Sequence, residues 1–536
     1  MPPKFSHELG LKELSPMNNY KFLPATKTGL RFDWCASINE DFILTLSKRV
    51  ITQLQRYQST RGISTLESQE RAERHTNIAI KLLSALYSGH TIISSDRNPR
   101  PISFPRDSSV YKQDSSCIEQ VPYSYRNVCT VYKALISMDW IKVAKGTQGT
   151  AYSRIYAHGE LADIFTRVGL RWLRQTPHPP ESVICLRDRV KPSNADRSFK
   201  QRKNYHKVTL ETPDTADVHK MASNLFRYNQ FLSEHCIAFD LPDHALYEIA
   251  KAMADDNADD KYKPKYLDFS RIQLRRIFSR GDMTKGGRFY GGWWQGVPSK
   301  DKSFRSHITI NGEKTCEVDY SSVCLRIVYS LKGISIDPEE DLYDIGLPGW
   351  SGAKDSRRQP VKTYINAIMN DEDGNYRLSK SSLAILEMTH DQLHELVLRR
   401  HKPIREELIA GIGLTTQFID SRIAEDIMLT MVDLGVLVLP IHDSFIVKAK
   451  HQRLLENTML ESFKTITGHP GSVDSTSPRL PEHFGLSDEE YSRLPGYLTD
   501  LGGNLSRTHT NTSIMGLFLK SWRANSAYCY CLAPRY

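Results

Sequence analysis

The chain lacks any run of 18 or more apolar residues among its 536, so no stretch is long and apolar enough to span a bilayer and no membrane partner is expected. It also lacks paired Cys-x-x-Cys clamps. Its nine cysteines, at positions 35, 117, 129, 185, 236, 316, 324, 529 and 531, are odd in number and dispersed. That pattern speaks against a disulfide framework and for reduced thiols. Cys529 and Cys531 form a single C-x-C, and without a second pair it makes no zinc clamp. The first residues, MPPKFSHELGLKELS, hold no apolar leader core, so the chain is expected to stay in the cytoplasm where it is made. An acidic excess is missing as well. The 71 Lys and Arg against 62 Asp and Glu leave a net charge of +9, which suits a polyanionic partner without requiring one.

What is present is 40% hydrophobic content, enough for real cores, over a length that suits two to four domains. Residues 1–35 show little periodicity and read as an N-terminal arm. A helix is expected after an Asn39 cap, with Phe42, Ile43, Leu46, Val50 and Leu54 at helical spacing. A second is expected near 67–88, carrying Ile78, Ile80, Leu83 and Leu86. After a turn-rich stretch at 90–120, Ser124 can cap a helix whose buried face is Val128, Val131, Leu135 and Met138. Residues 140–143 then alternate as a strand, 145–150 make a glycine-containing turn, 153–157 return as a strand, and another helix begins near Glu160. This order resembles the winged-helix domains of replication initiators, which seat a helix in a major groove and a wing on the backbone. Residues 36–175 are therefore read as a winged-helix-like DNA-binding domain, with a small αβ domain for protein contacts as the alternative. Pro-rich PHPP at 177–180 and SFKQRKNYHK at 198–207 mark 176–207 as a basic linker. RIQLRRIFSRGDMTKGGR at 271–288 is dense in Lys and Arg and reads as a phosphate-backbone contact.

Two short segments concentrate the chemistry. EVDYSSVCLRIVY at 317–329 and LPIHDSFIVKA at 439–449 each place one aspartate, Asp319 and Asp443, at the end of an apolar, β-type run. Carboxylates delivered from neighbouring strands can hold two Mg²⁺ ions about 4 Å apart, which aligns a 3′-hydroxyl, an α-phosphate and a leaving pyrophosphate. Residues 436–439 and 445–447 read as two strands with His442 and Asp443 in the turn between them. In DSRRQPVKTYINAIMN at 355–370, Ser356 and Gln359 have capping-box spacing, and Pro360 falls in the first turn of the helix that follows. Arg358, Lys362, Asn366 and Asn370 recur every fourth residue as one polar stripe, with Val361, Ile365 and Ile368 on another face. Such a positive first turn can hold a triphosphate. HDQLH at 390–394 lacks the glutamate of a zinc helix and reads as helical surface.

In this order the segments resemble the three motifs of the family A DNA polymerases and the related single-subunit phage-type RNA polymerases: DYSSVCLR, then Arg358-x-x-x-Lys362, then IHDS. GRFYGGWWQGVP, followed by Phe304 and Arg305, resembles the segment those chains carry before the first motif. The resemblance spans roughly 270–450. It implies an α+β right-hand fold, with an antiparallel palm sheet and helical fingers and thumb, behind the winged-helix-like domain. The thumb-like region would be helical and cover 208–285, palm and fingers 286–495, and a tail 496–536. It implies a DNA-directed DNA polymerase (a nucleotidyltransferase) using two Mg²⁺, or Mn²⁺ in their place, on a DNA primer-template with nucleoside triphosphates. Asp319, Asp443 and the Tyr320 carbonyl would ligate metal. Lys362 and Arg358 would grip the triphosphate, with Asn366, Asn370, Cys324 and Tyr320 around the nucleotide. Arg288, Gln295 and His442 would meet nucleic acid, and Arg326 would brace the palm or contact the primer. The implied setting is mobile-element or phage-like replication, nucleoid-associated, with replication-initiation partners. Cys324 stands where the DNA polymerases place a glutamate that crowds a 2′-hydroxyl, and Asn370 where both groups place a tyrosine, so sugar choice stays open. No exonuclease-type D-x-E segment is evident, so no proofreading is expected. The alternatives are an RNA polymerase or primase of the same fold, or a non-catalytic replication initiator.

Overall fold

The apolar stripes gather into three cores, each filled by residues the sequence spaces for one helix or strand face. The computed structural model describes residues 30–31, 37–60, 69–94, 99–104, 124–144, 153–190 except 171 and 174, 206–256 except 242, 266–298, 304–371 and 376–476. Nearly all of the N-terminal arm, the 145–150 turn, most of SFKQRKNYHK, the 477–495 end of the palm, the 496–536 tail and the C-x-C pair lie outside these residues.

The N-terminal part runs β1 (Leu30–Arg31), β2 (Ser37–Ile38), α1 (Asp41–Ser59), α2 (Gln69–Thr91), β3 (Ile102–Phe104), α3 (Tyr125–Ser137), β4 (Ile141–Ala144), β5 (Ser153–Ala157), α4 (Gly159–Val168) and β6 (Gln175–Thr176). Ile43, Leu46, Val50 and Leu54 of α1 pack with Ile78, Leu83 and Leu86 of α2 and Val128, Val131 and Leu135 of α3. Met138 lies one residue past α3, half-buried but packed against the same core. Ser124 caps α3 by accepting the Asn127 amide at 3.3 Å. The N-cap of α1 is Glu40 rather than Asn39, and no side chain bonds there. The stretch expected to be turn-rich contributes β3, which pairs with β5 in a sheet ordered β1-β3-β5-β4.

Next come β7 (Ile184–Val190), β8 (His206–Leu210), α5 (Ala216–Ser233), β9 (Ile237–Phe239), α6 (Asp243–Asp256), β10 (Arg275–Ser279) and β11 (Asp282–Tyr290). Two expectations are corrected here. The segment 176–207 is not simply a linker, because β7 runs parallel to β10 in a sheet ordered β11-β10-β7-β8. Nor is 208–285 simply helical, since it supplies β9, β10 and the start of β11. ICLRDRV carries too little alternation to announce itself as a strand. Its pairing partner, some 90 residues away, makes it one.

The remainder runs β12 (Ile308–Ile310), β13 (Glu313–Tyr320), α7 (Val323–Leu331), α8 (Arg358–Asn370), α9 (Lys380–Leu386), α10 (His390–Arg400), α11 (Arg405–Ile409), α12 (Gly413–Asp433), β14 (Val438–Ile441), β15 (Ser444–Lys448), α13 (Gln452–Thr467) and β16 (Val473–Thr476). The sheet is ordered β14-β15-β13-β12-β9, with β16 pairing the last residues of β13. Every pairing in it is antiparallel. The largest core unites this sheet with α5, α6, α12 and α13, and a smaller one joins α7 to α8–α11. Mixed helix and antiparallel sheet agrees with an α+β class. Among the described residues no helix is long and apolar enough to cross a membrane.

Candidate active site

Asp319 is the last residue but one of β13, flanked on one side by β15 and on the other by β16. Its register partners are Ser444 and Asp474. Val318 before it points into the core and is fully buried, so the period-2 alternation of a strand turns Asp319 to the opposite face. Asp443 lies in the two-residue loop between β14 and β15, where Ile441 pairs with Ser444. His442 takes the left-handed conformation (φ 58) that this tight reversal requires. The Tyr320 amide donates to the Asp443 carbonyl at 3.2 Å, which ties the hairpin to the end of β13. The sheet therefore brings together two carboxylates that lie 124 positions apart in the chain.

Their charges interact. Burial, and then the Asp443 carboxylate, push the Asp319 carboxyl up to about 8, while Lys362 opposes the shift and Glu317 and Asp474 add to it. A pair of partly buried carboxylates held against each other is the donor set that a divalent cation relieves. Asp319, Asp443 and nearby backbone carbonyls fit Mg²⁺ on those grounds. Among the described residues no three His, Cys, Asp or Glu side chains form a self-sufficient metal cage, so further ligands would come from a bound phosphate or water.

Lys362 reaches this field from α8. The helix starts at Arg358, with Arg357 at the N-cap, and the expected capping box of Ser356 and Gln359 does not form. Asp355 shapes the turn that leads into it: its carboxylate accepts the Arg357 amide at 2.9 Å and its carbonyl the Arg358 amide at 3.1 Å. Val361, Ile365 and Ile368 are buried, which leaves Arg358, Lys362, Asn366 and Asn370 outside the core as their spacing requires. Arg358 donates through Nε and Nη2 to the two oxygens of Asp341, at 3.2 and 3.3 Å. Its guanidinium and the Lys362 ammonium both lie over the Tyr343 ring, 4.9 and 5.8 Å from the centroid.

The other sequence-derived residues fall in several places. Arg288, on β11, donates through Nε to the buried Asp420 of α12 at 2.8 Å. Burial raises the Asp420 carboxyl against the pull of Arg288, and Asp443 raises it further, so this pair stands beside the two aspartates. The His442 ring meets the exposed Tyr290 edge-on at 5.4 Å. Cys324 is half-buried near Thr416, Asp420, Arg288 and Asp443, and burial pushes its thiol up to about 12. Asn370 turns away: its amide donates to the Asn366 carbonyl at 2.7 Å, against the start of α12. Gln295 is held by backbone, accepting from the Gly291 amide and donating to the Phe289 and Pro440 carbonyls, each at 3.0 Å. Arg326 is buried and donates to the carbonyls of Ser321, Asp337, Pro338 and Glu340, which is bracing geometry. Tyr320 buries its ring and donates its hydroxyl to the Met459 carbonyl.

Several residues escaped sequence reasoning. Glu317 lies two positions before Asp319 and so shares its strand face, a signal that was available. Asp420 is one of four carboxylates on α12, with Glu425, Asp426 and Asp433, and only its burial sets it apart. Asp474, Asp341 and Tyr343 come from segments without periodicity and carry no sequence signal either.

No family profile matches the chain, and no curated protein matches it in sequence. Among solved structures it is similar to the POL domain of Pol1 from M. smegmatis, solved in complex with DNA primer-template and dNTP. The likeness has a TM-score of 0.28 and 14% identity, and covers 48% of this chain. The chain spans about half the length of that domain, 51%. A likeness of this extent is too slight to fix an activity.

Proposed function

We propose that the chain is a template-directed nucleotidyltransferase, a DNA-directed DNA polymerase without proofreading, built as palm, fingers and a reduced thumb behind a DNA-docking N-terminal domain. One observation carries the reading: Asp319 near the end of β13 and Asp443 in the adjoining β14–β15 hairpin are close enough for their charges to interact, with Lys362 of a separate helix close enough to oppose the Asp319 shift. Asp319, Asp443 and the Tyr320 carbonyl would hold Mg²⁺, which supplies charge neutralisation at the phosphates and activation of the attacking hydroxyl. Lys362 and Arg358 bind the triphosphate and offset charge growing on pyrophosphate in the transition state. Arg288, oriented by Asp420, and His442, next to Tyr290, stand where a primer end would approach the aspartates. In the N-terminal domain, support for a winged helix is the order α2, β3, α3, β4, β5 with β3 and β4 flanking β5.

The second reading, an RNA polymerase or primase of the same architecture, draws on one detail: Cys324 is small, and the Asn370 amide is spent on its own helix and α12, so neither crowds a 2′-hydroxyl. Primer extension with labelled deoxy- and ribonucleotides, with and without a primer, tests both. Extension by dNTP that needs Mg²⁺ and a primer is the expected result. Incorporation of rNTP alone, or from an unprimed template, selects the second reading. No incorporation of either nucleotide, together with tight duplex binding, would leave a replication initiator.

A further inference from the structure

The connection between α7 and α8 delivers Tyr343 to a place the motif alignment does not touch. Tyr343 is buried at 3% exposure, and the Arg358 and Lys362 charges both lie over its ring, 4.9 and 5.8 Å from the centroid. The Ser322 side chain stands beside its phenol. Ser322 has a left-handed backbone (φ 54) and makes the turn from the Asp319 strand into α7. Tyr343 is itself pinned, because its amide donates at 3.1 Å to the Asp341 carboxylate that also receives Arg358 and, at 3.3 Å, Trp350 Nε1. One aromatic side chain thus bridges the end of the carboxylate strand and the two cations of α8.

We infer that Tyr343 is a positioning residue for nucleotide binding, its ring a shelf that sets Arg358 and Lys362 at a fixed height above the two aspartates; this rests on the polymerase reading above. A flexible lysine and an arginine lose rotamer freedom when they close on a triphosphate, and a ring that already attracts both cations removes part of that cost. An aliphatic residue keeps most of the buried apolar contact but offers no quadrupole. Packing and positioning can therefore be separated.

The test uses the full chain with primer-template, a fluorescent dNTP analogue for binding, and single-nucleotide incorporation for kcat and KM. Tyr343→Leu should weaken dNTP binding and raise KM by about tenfold, with primer-template affinity unchanged. Tyr343→Phe keeps the ring and should stay within about threefold of wild type. In a chain already carrying Arg358→Ala and Lys362→Ala, Tyr343→Leu should cost less than about twofold, since its partners are gone. Equal losses in both backgrounds, or a lowered Tm with unchanged KM, would reduce Tyr343 to a packing residue. Tyr343→Met is the substitute should the leucine chain not fold. A wild-type chain that binds dNTP yet incorporates none sinks the polymerase reading and leaves the shelf to be judged by binding alone. One that binds no dNTP sinks both.

Discussion

At the scale of single residues, the two aspartates and the buried ionisable groups make the sharpest claims. Asp319→Asn replaces a carboxyl whose charged form burial and Asp443 both disfavour, so Tm should hold or rise. Incorporation should nonetheless fall by orders of magnitude, and Asp443→Asn should do the same. Substantial incorporation by the double variant, assayed by primer extension, would end the two-aspartate assignment. His401 gives a test independent of activity. It is fully buried with Nδ1 at 2.9 Å from the Tyr329 hydroxyl, and burial lowers its pKa to about 4. Because the unfolded chain takes up a proton near pH 6.5 and the folded one only near 4, stability is full above 6.5 and falls as pH drops between them. The loss from this one group is on the order of 3 kcal/mol by pH 4. Tm measured from pH 7 to 4.5 should decline, and His401→Gln should flatten the decline. A Tm that is level across that range would show His401 titrating normally.

At the scale of elements, β11 carries a bulge that aims Arg288. Ile277 pairs with Arg288 and Phe278 with Gly286, which leaves Gly287 as the extra residue. Gly287 has φ 78, and a Cβ there would stand 2.8 Å from the Phe278 ring and 2.9 Å from Ser421 Oγ. Its carbonyl also accepts from Nε of the buried Arg276, whose other nitrogens bond Glu425 and Ser421 of α12. Gly287→Ala therefore meets backbone strain and a clash together, and should lower stability by about 1–3 kcal/mol in a denaturant titration. The same variant should weaken primer-template binding, because Arg288 is the next residue. Wild-type stability in that variant would mean the bulge is not constrained. Sequence and structure part at this level. The helices of the N-terminal domain are legible because their apolar periods run unbroken for several turns. β7, β3 and β16 are not, because a strand of a few residues is defined by its partner rather than by its own pattern.

For the whole molecule, the question is whether the N-terminal domain works on DNA. The exposed side of α3 carries Arg126 and Lys133, seven residues apart and so on one face. Replacing both with glutamate should weaken duplex binding and reduce the slope of log affinity against log salt by about two, while leaving nucleotide KM unchanged. An unchanged salt slope would assign the domain to protein contacts. What the sequence determined by itself was local: the helix periods, the Ser124 cap, the polar stripe of α8, and the two aspartates at the ends of apolar strands. Only the tertiary structure decided that Asp319 and Asp443 meet, that Asp420 orients Arg288, that Asp355 turns the chain into α8 without a Ser356 cap, and that Gln295 serves the backbone. The reason is physical. A residue's place on a helix or strand face follows from neighbours a few positions away, whereas charge pairing and burial depend on which distant segments the packed core forces together.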